Sequence, residues 1–534
     1  MKKHLFFAIV AILVSMSFVS CKKESLFSGD VKFNAKAPQG AAWTGKEVIA
    51  ISVNGAAPVT VNAAEGNSTD VTAALSQCPA SATIYAAVPY VEDGDGINAL
   101  TGSTLELQIP ESQKSRAGAC DASAQLLFAQ ASYSGGLPGS LELPFSSILA
   151  TGKIVIANAP EAMKSVKLKF SKNVVGKYTY SISDKSFSEK SASSEITLKA
   201  GADNALYFAC APVNTDVAVE LTGEASGAVY TVALNTNLVA GSVTDLNVDL
   251  KGALKLYLVG SAVGKEDAAS AIAMTENGDG SFSWSGKMAA ESEFKIIFDQ
   301  KNLTPAFGLG EAYNKIKYST KATAAPFEIE KAGKYTVTVW PANAHIQVKR
   351  TFDHVLAASD GAAPMDEEFE NCEVVPNSPH EWETRYGAVW QNHGYDTFGL
   401  NEEFKLSGKT SYWVNVTWVP EDRNQGRIIR SGDWKQPIAV ADKNYTVEMQ
   451  MMYEGDAESE EIVWRIEGAL GTGAGYEESV VLENGVPVKI SKDFVSDGTW
   501  GGCVNFFVYF NKCNLVEDAP FTFFFDGLNI GYDD

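Results

Sequence analysis

The stretch Ser411-Tyr-Trp-Val-Asn-Val-Thr-Trp418 decides how the carboxy-terminal third of the chain folds. Side chains alternate faces along a strand, so the odd spacing of the two tryptophans sends their rings to opposite sides. Tyr412, Val414, Val416 and Trp418 then form one apolar row. Trp413 shares the other row with Asn415 and Thr417, which sets a large ring among hydrogen-bonding side chains on a face turned toward water. The same grammar extends along the chain. Short alternating apolar runs recur between Gly, Asn, Asp and Ser, and helical periodicity is scarce, so the expectation is an all-β protein built from several sandwiches or barrels.

Composition divides the chain into three regimes. Residues 25 to about 250 are rich in Ala, Ser, Thr and Val and hold a single tryptophan, Trp43. Strand candidates there are Val48–Val53, 83–88, Ser140–Pro144, 152–156, 165–170 and 217–222. Residues 251–350 form a compact second unit, in which Asn277-Gly-Asp-Gly280 reads as a hairpin turn. A linker over 351–364, ending in the small-residue run Leu356-Ala-Ala-Ser-Asp-Gly-Ala-Ala-Pro364, leads to the third regime. From 365 to 534 the chain carries seven of its ten tryptophans, with strands expected over 412–418, 445–453, 462–466, 503–510 and 521–530.

The amino terminus, with Lys2 and Lys3, an apolar run and then Cys21, reads as an export signal over residues 1–20. No later stretch of about 18 apolar residues occurs, so no other segment is expected to span a bilayer. Cys78, Cys120, Cys210, Cys372, Cys503 and Cys513 are too sparse for a disulfide scaffold and lack CxxC spacing. Cys503 and Cys513 are spaced for a pairing across a hairpin, which the sequence alone leaves open. Charge is concentrated at one end: from Thr351 to Asp534 there are 12 Lys and Arg against 33 Asp and Glu, a net of −21 out of −22 for the whole chain. Such a module repels nucleic acid and other polyanions and favours neutral or cationic ligands.

Several stretches resemble known families. Phe18-Val-Ser-Cys21 resembles a bacterial lipobox, and Lys22-Lys23-Glu24 resembles the tether of surface-exposed Bacteroidetes lipoproteins. That resemblance implies acylation at Cys21 and display on the outer face of the outer membrane. Trp43-Thr-Gly-Lys-Glu-Val-Ile-Ala-Ile51, Ile84-Tyr-Ala-Ala-Val-Pro-Tyr90, Leu126-Leu-Phe-Ala129 and Leu143-Pro-Phe-Ser-Ser-Ile-Leu149 resemble fimbrillin-like domains, which implies β-sandwiches across 21–250. Leu256-Tyr-Leu-Val-Gly-Ser-Ala-Val-Gly264, Met274 to Trp284, Phe294-Lys-Ile-Ile297 and Gly333-Lys-Tyr-Thr-Val-Thr-Val339 resemble the immunoglobulin-like domains of the SusE and SusF starch-binding lipoproteins. Lys295 matches a lysine that contacts sugar hydroxyls in that family, whereas Lys265-Glu266-Asp267 stands where the family often has a loop tryptophan. Met365-Asp-Glu-Glu-Phe-Glu370 and Phe523-Phe-Phe-Asp-Gly-Leu-Asn-Ile530 resemble the first and last strands of jelly-roll carbohydrate-binding modules.

The third regime carries the chemistry. A sugar offers axial C–H groups on one face and hydroxyls at its edge; a flat indole covers the first, and amides, carboxylates and guanidinium groups take the second. Trp413, Asn415 and Thr417 supply both kinds of contact, Arg427, Arg430 and Trp434 add to them, and Trp390 and Asn392 extend the set on an upstream loop. Against this, Trp418 and Trp464, flanked by Val and Ile, read as core rings, and the arginines have abundant surface carboxylates to pair with. Glu368, Glu370 and Asp526 lie near the two ends of the jelly roll, where such modules hold a structural calcium through oxygen ligands; a solvated acidic rim is the simpler reading. No other cofactor is implied.

Catalytic motifs are missing: no HExxH, no GxSxG, and Gly471-Thr-Gly-Ala-Gly475 lacks the context of a phosphate loop. The expectation is a non-enzymatic, lipid-anchored surface protein that captures a neutral polysaccharide or oligosaccharide, beside a transporter of the SusC and SusD kind. The rival is a fimbria-associated adhesin or anchor subunit.

Overall fold

The computed structural model describes residues 26–38, 43–116, 118–199, 205–355, 366–367, 374–378, 381–384, 390–391, 397–416, 427–431, 442–468, 476–495, 504–513 and 520–534. Among these residues the regular structure is β-strand apart from four short 3-10 turns. Contacts divide the chain into two compact units, one comprising 1–155, 167–218 and 233–247, the other 156–166, 219–232 and 248–534. The protein is a multidomain assembly of β-sandwiches, as the alternating runs require.

The first unit opens with a sandwich whose logic is visible in one strand. Ser68–Cys78 alternates from Ser68 to Ser76, burying Thr69, Val71, Ala73 and Leu75 while the residues between face water, and ends on the buried Cys78. It pairs antiparallel with Phe27–Lys36, Phe33 opposite Val71. That three-stranded sheet faces a five-stranded one containing Leu127–Tyr133, Ala82–Val88 and Val48–Val53, and Phe33, Ile51, Ile84 and Leu143 fill the space between. Trp43 plugs this core. Its Nε1 donates to the Ala35 carbonyl at 3.0 Å and its ring meets Phe145 edge-on at 5.4 Å, so burial leaves no orphaned donor. The turn that follows is fixed by Glu47, which accepts from the Thr44 hydroxyl and from the backbone amides of Thr44 and Lys46.

In the second unit, residues 257–351 form a sandwich of their own. One sheet is built on Ser292–Ile297, Tyr257–Val259 and Ala306–Leu309; the other runs Thr275–Glu276, Phe282–Met288, Gly333–Trp340, His345–Thr351. The expected hairpin forms at Asn277–Gly280: the Asn277 amide donates to the Ser281 carbonyl at 2.7 Å, and Gly280 adopts φ +81°, which a side chain would resist.

The carboxy-terminal sandwich follows. Its first sheet runs Thr397–Asn401, Ser411–Val416, Phe521–Tyr532, Asn444–Glu454, Val488–Val495, and His354–Val355 and Asp366–Glu367 also pair with the Phe521–Tyr532 strand. His354 and Val355, inside the span read as linker, are thus part of this sheet. The second sheet runs Trp390–Gln391, Arg427–Ser431, Val504–Tyr509, Ser459–Gly468, Tyr476–Glu483. Tyr412, Val414, Val416, Trp464, Phe506, Phe523 and Phe525 interlock between the two, each contributing roughly 1.5–3 kcal/mol relative to exposure. Trp464 is a core ring, as expected. Cys513 is a free thiol whose Sγ lies 3.3 Å from the Glu461 carbonyl, and burial pushes its pKa up; Cys503 lies outside the described residues.

The outer face of the first sheet is covered by the 257–351 sandwich. Tyr313 donates its hydroxyl to Gln450 Oε1 at 2.5 Å, Asn529 Nδ2 donates to the Arg350 carbonyl at 2.7 Å, and Gln347 Nε2 donates to Ser407 Oγ at 2.8 Å. Arg350 reaches Asp533 at 2.6 Å while its guanidinium lies over Phe352. His345 is fully buried, its Nε2 2.7 Å from the Ser407 carbonyl. Burial holds its pKa down at about 4, and nearby Lys315 lowers it further, against the opposing pull of that carbonyl.

Candidate functional site

The Ser411–Val416 strand alternates as its sequence dictates. Tyr412, Val414 and Val416 face the core, while Trp413 and Asn415 are half-buried on the outer face. The ring does not stand bare among polar groups. Trp413 packs against Leu406, Met452 and Phe524, a small apolar cluster on the outside of the first sheet. Gly399 on the neighbouring strand makes room for it: a Cβ there would sit 3.1 Å from the indole Nε1. The Leu406 carbonyl accepts from Asn314 Nδ2 at 2.9 Å, which ties this cluster to the docked sandwich.

The expected site residues separate. Trp413 and Asn415 belong to the first sheet, whereas Trp390, Arg427 and Arg430 belong to the second. Lys295 lies in the other sandwich, where its Nζ donates to the Ala322 carbonyl at 3.2 Å. Thr417, Trp434, Asn392, Cys21, Glu368 and Glu370 fall outside the described residues, as does Trp418. Asp526 is fully buried. Its Oδ2 accepts from the Ser407 amide at 3.0 Å and from Ser411 Oγ at 3.2 Å, and its Oδ1 accepts from the Gly527 amide at 2.7 Å. These bonds satisfy the buried carboxylate, and among the described residues no cluster of metal-ligating side chains occurs.

What the second sheet assembles is a more coherent surface. Ile462, Trp464, Ile466, Phe506 and Val508 point into the core, so the intervening residues of the same strands point outward. Among these, Val463, Phe507 and Tyr509 form a separate apolar cluster, each only 3% exposed. The Phe507 and Tyr509 rings lie nearly parallel, with centroids 5.8 Å apart and planes at 27°. Strand register sets the arginines beside them. Arg430 stands opposite Phe507 on one side and Gln391 on the other, and Phe507 is followed by Arg465 and then Glu477. A second row places Arg427 opposite Tyr509, then Val463 and Ser479. Arg465 Nη1 lies 3.7 Å from Glu477 Oε2, so its charge is balanced locally.

The register of five strands thus aligns arginine, glutamine and glutamate positions with two buried rings, and these are the residue types that sugar recognition draws on. Phe507, Tyr509, Val463, Arg465 and Glu477 were not singled out in the sequence. The signal was nonetheless present: Val504-Asn-Phe-Phe-Val-Tyr-Phe510 is apolar at almost every position, which in an antiparallel sheet means that both faces are occupied by apolar side chains.

No family model and no curated protein matches the chain. Among solved structures, a candidate cell adhesion protein from Bacteroides ovatus is similar over 42% of this chain and 92% of its own, at 15% identity and a TM-score of 0.31. A CBM4 structure aligns over 32% of this chain and 99% of its own, at 14% identity and a TM-score of 0.21. The C-terminal family 22 carbohydrate binding module of Clostridium thermocellum Xyn10B aligns over 33% of this chain and 96% of its own, at 12% identity and a TM-score of 0.20. At this degree of overlap the description of the fold rests on the strands and their pairing.

Proposed function

We propose that the protein captures a neutral glycan on the outward face of the second sheet of its carboxy-terminal sandwich, displayed from the outer membrane by a lipid on Cys21. The observation that supports this reading is the strand register of the second sheet, which aligns Gln391, Arg430, Arg465 and Glu477 in one cross-strand row with Phe507 buried among them. Phe507 and Tyr509 are buried beneath this row, and amide, guanidinium and carboxylate groups are the residue types that take sugar hydroxyls. The acidity of the carboxy-terminal region disfavours polyanionic polymers. Weak binding at one such surface suffices, because anchoring many copies on a membrane raises their effective concentration. Delivery to a transporter of the SusC and SusD kind completes the proposal.

Affinity electrophoresis of the whole chain through gels containing neutral polysaccharides tests the binding. Retarded migration in at least one gel is expected, with mobility restored by Arg430→Ala. Unchanged migration in every gel would turn the assignment toward the adhesin. Labelling with radioactive palmitate, lost in Cys21→Ala, tests the anchor.

A further inference from the structure

A cavity of about 510 Å³ lies inside the second unit, between the 257–351 sandwich and the covered sheet of the carboxy-terminal one. We infer that this cavity is a second binding site, taking one or two rings of a neutral saccharide between the two sandwiches.

Three observations support it. The volume falls within the range of small-ligand pockets, and junctions between domains are where such pockets concentrate. Its walls mix apolar surface from Leu309 and Ile490 with the polar side chains of Tyr313, Gln347, Glu448 and Gln450. Glu448 and Gln450 are 6% and 7% exposed, and they project from the outer face of their strand, opposite Val447, Met449 and Met451 in the core. Buried polar groups of this kind are costly beside apolar matter and are met by hydroxyls.

The third observation is the charge of the lining. Glu448 Oε2 lies 3.9 Å from Lys489 Nζ, Glu478 Oε1 lies 2.8 Å from Lys492 Nζ, and Lys331 Nζ lies 2.6 Å from Asp493 Oδ1. Each lining cation thus has its own carboxylate, and Glu328 and Glu330 line the cavity as well, which leaves no attraction for an anion. A neutral ligand carrying both hydroxyls and C–H faces matches this lining. Gln450 is also held in place, since its Oε1 accepts from the Tyr313 hydroxyl across the junction. A ligand here touches both sandwiches at once, so it stabilises their docked arrangement by mass action. The inference stands apart from the outward face of the second sheet; that sheet lends the cavity only Glu478 and Val480, on the core side of its edge strand opposite Trp464 and Ile462.

Isothermal titration of the whole chain with glucose, galactose, mannose, xylose, maltose, cellobiose and xylobiose tests it. At least one probe is expected to bind with a Kd below about 10 mM, and Gln450→Leu is expected to weaken that binding about tenfold or more. Tyr313→Phe, which removes only a hydroxyl, is expected to weaken it in the same direction and covers the case in which Gln450→Leu fails to fold. Arg430→Ala is expected to leave this binding unchanged. Absence of binding by every probe overturns the inference. So does binding that Arg430→Ala abolishes while Tyr313→Phe and a folded Gln450→Leu retain it, although that result would uphold the reading of the outer sheet.

Discussion

The two sheets of the carboxy-terminal sandwich share one core and treat their outer faces in opposite ways. On the first, Glu448, Gln450 and Asn529 are polar and buried; the sandwich that covers them meets Gln450 and Asn529 with hydrogen bonds, and Glu448 lies 3.9 Å from Lys489 of its own sheet. On the second, Val463, Phe507 and Tyr509 are apolar and lie on the side away from the shared core, where each is again buried. Polarity alone therefore misleads: polar and apolar side chains are buried alike on the two outer faces, the polar ones under a second sandwich. A polar residue on a strand marks a surface only until a second domain arrives with matching donors and acceptors.

That contrast can be broken at several points. Trp464→Ala should have the largest effect, since the ring is fully buried in the shared core; a loss of about 3–5 kcal/mol in denaturant-derived stability is expected. Both outer faces would be disturbed together. Arg350→Ala should act on the docked face alone. It removes the pairing to Asp533 and the stacking over Phe352, at a cost of about 3 kcal/mol. Calorimetry should then resolve two transitions where the parent shows the sandwiches melting together.

Acid should loosen the same junction. His345 is neutral in the fold because its pKa is held near 4, whereas in the unfolded chain it protonates near 6.5. Between those values the unfolded state binds the extra proton, so stability falls as pH drops from about 6.5 to 4 and levels off below, by at most about 3 kcal/mol. His345→Gln should flatten that part of the curve; a profile unchanged by the substitution would remove His345 from the account. The smallest effect is expected at Gly399→Ala. The new methyl would press on the Trp413 indole, costing about 1 kcal/mol, and tryptophan emission should shift to the red as the ring is displaced.

Much of the fold was legible in the chain. Strands such as Val48–Val53 and Ser140–Pro144 follow directly from alternation, and Ser459–Gly468 and Phe521–Tyr532 extend the runs read at 462–466 and 521–530 by a few residues. Trp464 between Ile462 and Ile466 could only be a core ring. The site was less legible. Arg427, Arg430 and Trp390 were identified by residue type, and the strand pairing joins them to one sheet. Trp413 and Asn415 were grouped with them by closeness in sequence, yet the Ser411–Val416 strand belongs to the opposite sheet.

The sequence alone determined which residues of each strand face together, because a period of two is local and fixed by backbone geometry. It also determined that nearly all the net charge lies in the last third of the chain. Only the tertiary structure decided which strands stand side by side, and so which rings and arginines share a surface. Only it decided which face a second sandwich would cover. Those outcomes depend on pairings between segments far apart in the chain, and no local pattern encodes them.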